Sequence, residues 1–116
     1  MKDDRVYLEH ILVQIEKIEL SLEGITKQQF LANVEKQDAN VRRLEIIGEA
    51  VKKLSLAFRK QHPTVEWREI AGTRDVLIHG YFTVDWDLVW SILRRDILTL
   101  KNVVQVLLQK LDAEEK

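Results

Sequence analysis

The chain has 116 residues, of which 46% are hydrophobic and 32% are charged, and its formal net charge is −1. This balance is that of a helix-rich globular protein, and the length suits one domain with a hydrophobic core. We therefore predict a single domain over residues 1–116. The near-neutral charge argues against broad, non-specific binding of nucleic acids, but it is compatible with a local basic cleft.

Membrane and oxidising environments fit the sequence poorly. It has no apolar run near the length of a membrane span, and its acidic start, Met1-Lys2-Asp3-Asp4, is unlike a signal peptide. It has no cysteine, so we expect neither disulfides nor a thiolate zinc site. It also offers no obvious cluster of other metal ligands. We predict a cytoplasmic protein that needs no metal or cofactor and has no membrane partner.

Two helices are predicted in the first third of the chain. The first begins at about Asp4 and ends at about Leu22, with Gly24 as its stop, because apolar residues recur there at alternating steps of three and four. The stripe comprises Leu8, Ile11, Ile15, Ile18 and Leu22. A capping box of Thr26 and Gln29 predicts a short second helix. Its inward-facing residues should be Phe30, Leu31 and Val34.

The third predicted helix is capped by Asp38 and is broken at His62, because a residue before proline is pushed out of helical geometry. Its apolar stripe comprises Leu44, Ile47, Val51, Leu54 and Phe58. A short helical turn over Glu66–Ile70 follows and ends at Gly72. The stretch Arg74–His79 is then a helix or a helix end, with Gly80 as its terminator.

The last predicted helix is the longest. It is capped by Thr83 or Asp85 and runs to about Leu111. Its inward-facing residues are Val89, Leu93, Ile97, Leu100, Val104, Leu107 and Leu111. Four or five helices with short connections predict an all-α, up-and-down helical bundle.

The first and last helices also carry apolar residues beside their stripes, namely Leu12, Val103 and Leu108. A thick monomer core could use this surface, and so could a homodimer interface. Because a four-helix core does not need all of it, the surplus favours a homodimer.

One stretch, Thr73 to Phe82, concentrates reactive side chains. It holds Arg74, Asp75, His79 and Tyr81. Histidine can act as a general acid or base, and arginine binds phosphate through a fixed fork of donors. Together they suit phosphodiester chemistry, in which the imidazole takes a proton from a ribose 2′-hydroxyl and the guanidinium stabilises the attacked phosphate.

Spacing by itself does not identify this site, since Arg5 and His10 repeat the same arrangement. Five residues of an ideal helix turn through about 500°, which leaves Arg74 and His79 about 140° apart unless the helix frays or a partner chain completes the site. Asp75 and His79 do share a face, so Asp75 could orient the imidazole. A purely structural Asp–His pair explains that spacing equally well.

Residues 74–81, Arg-Asp-Val-Leu-Ile-His-Gly-Tyr, resemble the arginine–four residues–histidine–X–tyrosine motif of HepT toxins. These toxins belong to the HEPN (higher eukaryotes and prokaryotes nucleotide-binding) superfamily. Arg43–Ala50 resembles the central helix of that family, Trp67–Gly72 resembles the lead-in to the motif, and Val84–Trp90 resembles the family's segment after the motif. The resemblance covers about residues 5 to 110.

This resemblance implies a helical homodimer whose two motifs line one cleft. It implies a metal-independent ribonuclease toxin with Arg74 and His79 as catalytic residues and RNA as substrate. It also implies a minimal nucleotidyltransferase antitoxin as partner, which silences the toxin by transferring AMP to Tyr81. The alternative is a non-catalytic subunit of a two-component nucleotidyltransferase system, which binds a nucleotide or its partner. A purely structural helical dimer would leave the polar cluster unexplained.

Several other residues have two interpretations each. The three tryptophans, Trp67, Trp86 and Trp90, could stack bases, but packing in a core or dimer interface is favoured because indoles bury much surface. Arg94 and Arg95 could extend a basic cleft or lie on ordinary helix surface. At Gly48 a close approach of two helices is expected. Glu45 and Glu49 share a helical face and could bind a metal or act in acid–base chemistry, but solvated charges or an intersubunit pair with Arg42 or Arg43 are commoner.

Overall fold

The structure, a computed structural model, describes residues 2–72 and 84–115. Within these ranges it contains helices and no strand, which confirms the all-α prediction. The helices are α1 (Lys2–Leu22), α2 (Lys27–Leu31), α3 (Val34–Lys53), α4 (Leu56–Gln61), α5 (Trp86–Ser91) and α6 (Ile97–Glu115). Residues 67–72 are also helical, and a π-helical turn (Ile92–Asp96) joins α5 to α6.

The centre of the fold is α1, which packs against both α3 and α6. Its predicted apolar stripe is confirmed, because all five side chains are at most 1% exposed. Two ion pairs show that α1 and α6 run antiparallel: Arg5 pairs with Asp112 at 2.5 Å and Glu19 pairs with Lys101 at 2.9 Å. Burying each aliphatic side chain of this kind contributes about 1.5–3 kcal/mol.

The connection after α1 follows the predicted signals only in part. Gly24 adopts a φ of +71°, which a glycine accommodates without strain, and the capping box of Thr26 and Gln29 is present. Phe30 is buried as predicted, but Leu31 is 40% exposed and Val34 is 66% exposed. That part of the prediction is wrong because Leu31 lies about 100° around α2 from Phe30, and Val34 begins a new helix after α2 has ended. These residues therefore do not share one helical face with Phe30.

The third predicted helix is two helices in the structure, and Asp38 does not cap it. Asn33 is the N-cap of α3, and its side-chain oxygen accepts a hydrogen bond from Lys36 N at 3.0 Å. The helix ends at Lys53 because Leu54 is extended, with φ −62° and ψ 139°. Ser55 then caps α4, which carries Phe58 into the core and ends before His62.

A side chain from α1 stabilises this break between α3 and α4. Asp4 is 4% exposed, and its carboxylate accepts hydrogen bonds from Ser55 N at 2.7 Å and from Ser55 Oγ at 2.9 Å. Ser55 Oγ in turn accepts the Phe58 N–H at 3.1 Å. A buried carboxylate needs such donors, and Ser55 supplies two of them where the backbone leaves helical geometry.

The long C-terminal helix is confirmed, with a π-helical turn that the sequence analysis did not predict. Asp85 is its N-cap and accepts the Leu88 N–H at 3.1 Å. The seven predicted inward-facing residues, Val89 through Leu111, are all at most 5% exposed. The first two steps of that stripe are four residues each, which would rotate it by about 80° in an ideal α-helix. The wider π turn at Ile92–Asp96 compensates for this rotation.

The apolar residues beside the stripes are partly used within one chain. Leu12, Val103 and Leu108 are half-buried and pack against the core. The most exposed aliphatic side chain of α1 is instead Leu20, at 74%. The homodimer therefore stays a prediction. Among the residues that the structure describes, no helix is long and apolar enough to cross a membrane.

We predict that Asp4→Ala lowers the free energy of unfolding by about 2 kcal/mol, because it removes charge-assisted hydrogen bonds and leaves Ser55 N without its acceptor. Asp3→Ala is the matched control, since Asp3 is an exposed acid in the same first turn of α1. Urea unfolding followed by circular dichroism measures both. Equal losses in the two variants would contradict a role for the Asp4–Ser55 contact.

Candidate active site

The predicted site residues Arg74, Asp75, His79 and Tyr81 lie outside the described residues, within the stretch 73–83. Their roles and their mutual distances therefore stay predictions. The structure does describe the chain on either side, up to Gly72 and again from Val84. These two flanks are held to the core by specific contacts.

The lead-in to the motif is anchored on α4. The ring of Trp67 lies 6.1 Å from the ring of Phe58, and Trp67 Nε1 donates a hydrogen bond to His62 O at 3.1 Å. Trp67 is 6% exposed and Ala71 is 8% exposed. The packing interpretation of Trp67 is thus confirmed, because its indole is buried and its only side-chain donor is satisfied. The core fixes the chain to within a few residues of Arg74.

The chain that follows the motif is anchored on α2. Phe30, fully buried, contacts the rings of Trp86 and Trp90 at centroid distances of 6.3 Å and 5.3 Å. Both tryptophans are half-buried and pack against the core. An ion pair between Lys27 and Asp87 at 2.7 Å adds a surface contact between α2 and α5. Aromatic packing therefore fixes the start of the long C-terminal helix.

Arg94 has a structural role that neither interpretation of the sequence predicted. Its Nη2 donates to the carbonyl oxygens of Leu22 at 3.2 Å and Ile25 at 2.7 Å. Its guanidinium lies 4.7 Å from the centroid of the Trp90 ring. The cation therefore complements the negative end of α1 and stacks on an aromatic face. No local pattern could reveal this, because the two carbonyls lie about 70 residues earlier in the chain.

A cleft of about 460 Å³ lies between α3, the lead-in and the π turn. Its described apolar walls include Ile47, Ile70 and Ile92. Its described polar residues include the carboxylates of Glu66, Glu69 and Asp96, and none of its described lining residues is basic. Like charges repel, so these walls by themselves do not suit a phosphate group. The cations for an anionic substrate must come from other residues.

The N-terminal copy of the arginine–four residues–histidine spacing, Arg5 and His10, makes surface contacts. Arg5 pairs with Asp112 on α6 and lies 3.8 Å from Glu9. His10 is exposed and lies edge-on to Tyr7 at 6.2 Å. This agrees with the interpretation of the Arg5–His10 arrangement as surface, and it shows that Arg5 has a structural partner.

The remaining conspicuous residues have ordinary contacts. Glu45 pairs within the chain with Arg42 at 3.3 Å, and Arg43 donates to Asn40 Oδ1 at 3.0 Å. Gly48 is buried in α3, and the close helix approach expected there stays a prediction. Among the described residues, no group of three or more His, Cys, Asp or Glu side chains could hold a metal ion.

The chain was compared with known proteins, and it matches the family model "Ribonuclease HepT-like" over residues 11–107. It is 46% identical over 110 residues to a candidate RNase of Caldanaerobacter subterraneus, a match that covers 95% of this chain and 98% of that protein. It is 45% identical over 96 residues to "Probable ribonuclease HepT" of Thermococcus cleftensis, a match that covers 83% of this chain and 87% of that protein.

A relative in Methanocaldococcus jannaschii is longer. It is named as a gamma-glutamylcyclotransferase and candidate RNase, and it is 42% identical over 111 residues, which are 96% of this chain but 50% of that protein. The chain thus spans half of that relative and nearly the whole of the Caldanaerobacter protein. No solved structure matches it. Together with the all-α fold, these matches show that the chain belongs to the ribonuclease HepT-like family.

We predict that Arg94→Gln lowers the free energy of unfolding by about 1–2 kcal/mol, because α1 loses a charged donor and Trp90 loses its cation. Arg95→Gln is the matched control: Arg95 is exposed like Arg94, but within the described part of the chain its guanidinium makes no such carbonyl or ring contact, and a surface substitution of that kind changes stability by at most about 0.5 kcal/mol. Thermal or urea unfolding compares the two. If Arg95→Gln were as destabilising as Arg94→Gln, the loss would come from net charge rather than from the carbonyl contacts.

Proposed function

We propose that this chain is a ribonuclease toxin that cuts RNA without a metal ion and uses Arg74 and His79 as catalytic residues. The observation that carries the proposal is the match to the ribonuclease HepT-like family over residues 11–107, which include both positions. Relatives named as RNases in two further organisms support it. Such an enzyme would act in the cytoplasm, where its RNA substrate is made and used.

The proposed reaction is a transfer within the RNA strand. The neutral His79 imidazole takes the proton of a ribose 2′-hydroxyl, and the 2′-oxygen attacks the neighbouring phosphorus. The bond from phosphorus to the 5′-oxygen breaks, and the imidazolium returns its proton to that oxygen. The products are a 2′,3′-cyclic phosphate and a 5′-hydroxyl end. Arg74 stabilises the negative charge that builds up on the phosphate oxygens in the transition state.

Asp75 is proposed as a positioning residue. It precedes His79 by four residues, so on a helix the two side chains share a face. A carboxylate that accepts a hydrogen bond from one ring nitrogen holds the imidazole in the tautomer that leaves the other nitrogen available as a base. Asp75 would thus support the reaction without touching the substrate.

We propose further that the active form is a homodimer whose two motif segments face one cleft. The supporting argument is the angle of about 140° between residues five positions apart on an ideal helix, which brings Arg74 and His79 together poorly within one chain. A second motif segment would supply the missing group. Sedimentation at micromolar concentration tests this, and a monomer under those conditions would contradict it.

The proposed partner is a minimal nucleotidyltransferase antitoxin that transfers AMP to Tyr81. The tyrosine oxygen attacks the α-phosphorus of ATP, pyrophosphate leaves, and the hydroxyl proton passes to solvent. The product places a phosphodiester anion two residues from His79. That anion would pair with Arg74 and occupy the position of the substrate phosphate, so the protein would be folded but inactive.

We predict that His79→Ala and Arg74→Ala each lower RNA cleavage by at least about 100-fold, because each removes a group that the transition state needs. The assay follows a labelled RNA on a denaturing gel and identifies the 2′,3′-cyclic phosphate end. Circular dichroism checks that helix content is unchanged. Cleavage should persist in a metal chelator, and its loss there would argue for a metal ion.

His10→Ala is the control, because His10 is exposed and stands in the repeated Arg–His arrangement. Arg5→Ala is unsuitable as a control, since it would break the pair with Asp112. If His10→Ala lost as much cleavage as His79→Ala, the catalytic arrangement would be the N-terminal one. If neither the unaltered chain nor any variant cut RNA, the non-catalytic binding subunit would become the better description.

We predict that Tyr81→Phe still cuts RNA but is not silenced by the active nucleotidyltransferase. Phenylalanine keeps the ring and removes only the hydroxyl that accepts AMP. Intact mass after co-expression with the transferase should show the added AMP on the unaltered chain and its absence on the variant. Tyr7→Phe is the control, since Tyr7 is the other of the two tyrosines in the chain. Normal silencing of Tyr81→Phe, or AMP mapped to Tyr7, would contradict this account.

A further inference from the structure

The positive charges of this chain are concentrated in one part of the fold. Between Arg42 and His62 there are six of its 18 basic residues and only two of its 19 acidic residues, although the whole chain has a net charge of −1. Four of the six flank the corner between α3 and α4. The first of the four, Lys52, already has a contact within the chain. We name the surface formed by the other three, Lys53, Arg59 and Lys60, the basic corner.

The basic corner presents its charge to solvent. Its two lysines are exposed and Arg59 is half-buried. Among the described residues, no carboxylate lies within ion-pair distance of Lys53, Arg59 or Lys60, and the buried Arg59 Nε has no hydrogen-bond acceptor. The carboxylate of Asp4 comes close to this corner, but it is buried and accepts both of its described hydrogen bonds from Ser55.

The basic corner belongs to the same packed unit as the lead-in to the motif. Phe58 lies between Leu56 and Lys60 on α4 and contacts Trp67, whose indole also donates to His62 O. These contacts join the first turn of the helical residues 67–72 to α4. A ligand bound on the basic corner would therefore lie near the lead-in, the part of the protein that comes directly before Arg74.

We propose that the basic corner binds the phosphate backbone of RNA outside the cleavage site and so positions the substrate. The described walls of the cleft near the lead-in are acidic rather than basic, so beyond Arg74 an extended RNA strand would take its cations from another surface. Exposed lysines are flexible point charges, which suit phosphate contacts that do not depend on sequence. The proposal rests on the ribonuclease function proposed above and adds a binding surface to it.

An acidic protein partner is the competing occupant, and the surface fits it less well. Stable protein interfaces have an apolar core surrounded by polar residues. On α4 the described exposed large apolar side chain is Leu56, at 67%. A single exposed leucine is common on protein surfaces and does not make such a core.

The test compares two pairs of substitutions with the same change in charge. Lys53→Gln/Lys60→Gln removes two charges from the basic corner, and Lys17→Gln/Lys110→Gln removes two from exposed positions on α1 and α6. Both pairs are made in a His79→Ala background so that RNA is bound but not cut. Fluorescence anisotropy measures the binding of a labelled single-stranded RNA of about 20 nucleotides, longer than one typical binding site, at several salt concentrations.

The corner pair should reduce the steepness of the dependence of log K on log salt by about 1.4, because each phosphate contact with a single strand contributes about 0.7. This corresponds to binding about 25-fold weaker at 0.1 M salt if the two proteins bind equally at 1 M. The control pair should leave both the salt dependence of log K and the affinity for RNA at 0.1 M salt nearly unchanged. Circular dichroism should show the same helix content in both.

Cleavage kinetics in the His79-containing protein give a second readout. With a long RNA, the corner pair should raise KM and leave kcat unchanged, because the lost contacts bind ground state and transition state equally. With a dinucleotide that spans only the cleaved bond, the corner pair should behave like the unaltered chain. A fall in kcat on both substrates would place these lysines in the catalytic machinery and overturn the proposal.

The remaining outcomes separate this inference from the proposed function. If RNA is bound and cut but the corner pair behaves like the control pair, the inference is wrong and the ribonuclease function stands. If the corner pair no longer binds the nucleotidyltransferase but still binds RNA, the basic corner is a protein interface and the inference is wrong. If the unaltered chain shows neither binding nor cleavage of RNA at low salt, both proposals fail.

Discussion

The burial of α1 is the constraint on which the rest of this structure depends. Its five stripe residues are at most 1% exposed, because α1 packs against both α3 and α6. A helix buried in this way cannot rotate or slide without exposing side chains that each contribute about 1.5–3 kcal/mol. Every other element is therefore positioned relative to α1, directly or through one intermediate.

Polar contacts at the two ends of α1 link it to the segments that precede and follow the motif. At its start, Asp4 holds Ser55 at the beginning of α4, and α4 holds Trp67 in the lead-in. At its end, the carbonyl of Leu22 accepts a hydrogen bond from Arg94 in the π turn, which continues the helix that follows the motif. The two contacts differ in chemistry, one a buried carboxylate and the other a stacked guanidinium. Both satisfy backbone groups where a helix begins or ends.

Features that depend on residues close together in the chain could be predicted from the sequence. Features that depend on contacts between residues far apart in the chain could not. The stripes of α1 and of the C-terminal helix, the Thr26 capping box and the Asp85 cap all depend on residues within a few positions, and the structure confirms them. The break at Leu54 went unpredicted because its stabilising partner, Asp4, lies 51 residues from Ser55. Local signals also compete with one another: Asp38 and Asn33 are both good N-caps, and only the observed end of α2 decides between them.

The candidate site was predicted from a resemblance, not from spacing. The Arg–x4–His arrangement occurs twice in the chain, and the structure gives the first copy an ordinary role because Arg5 pairs with Asp112. The second copy lies in residues 73–83, so its geometry stays a prediction, and membership of the ribonuclease HepT-like family supports its chemistry. If Arg74 is the cation that AMP on Tyr81 would neutralise, the modification leaves the basic corner unchanged. Silencing would then remove catalysis while leaving part of the affinity for RNA, because under the two proposals the phosphate contacts that position the strand and those that stabilise the transition state would come from different residues.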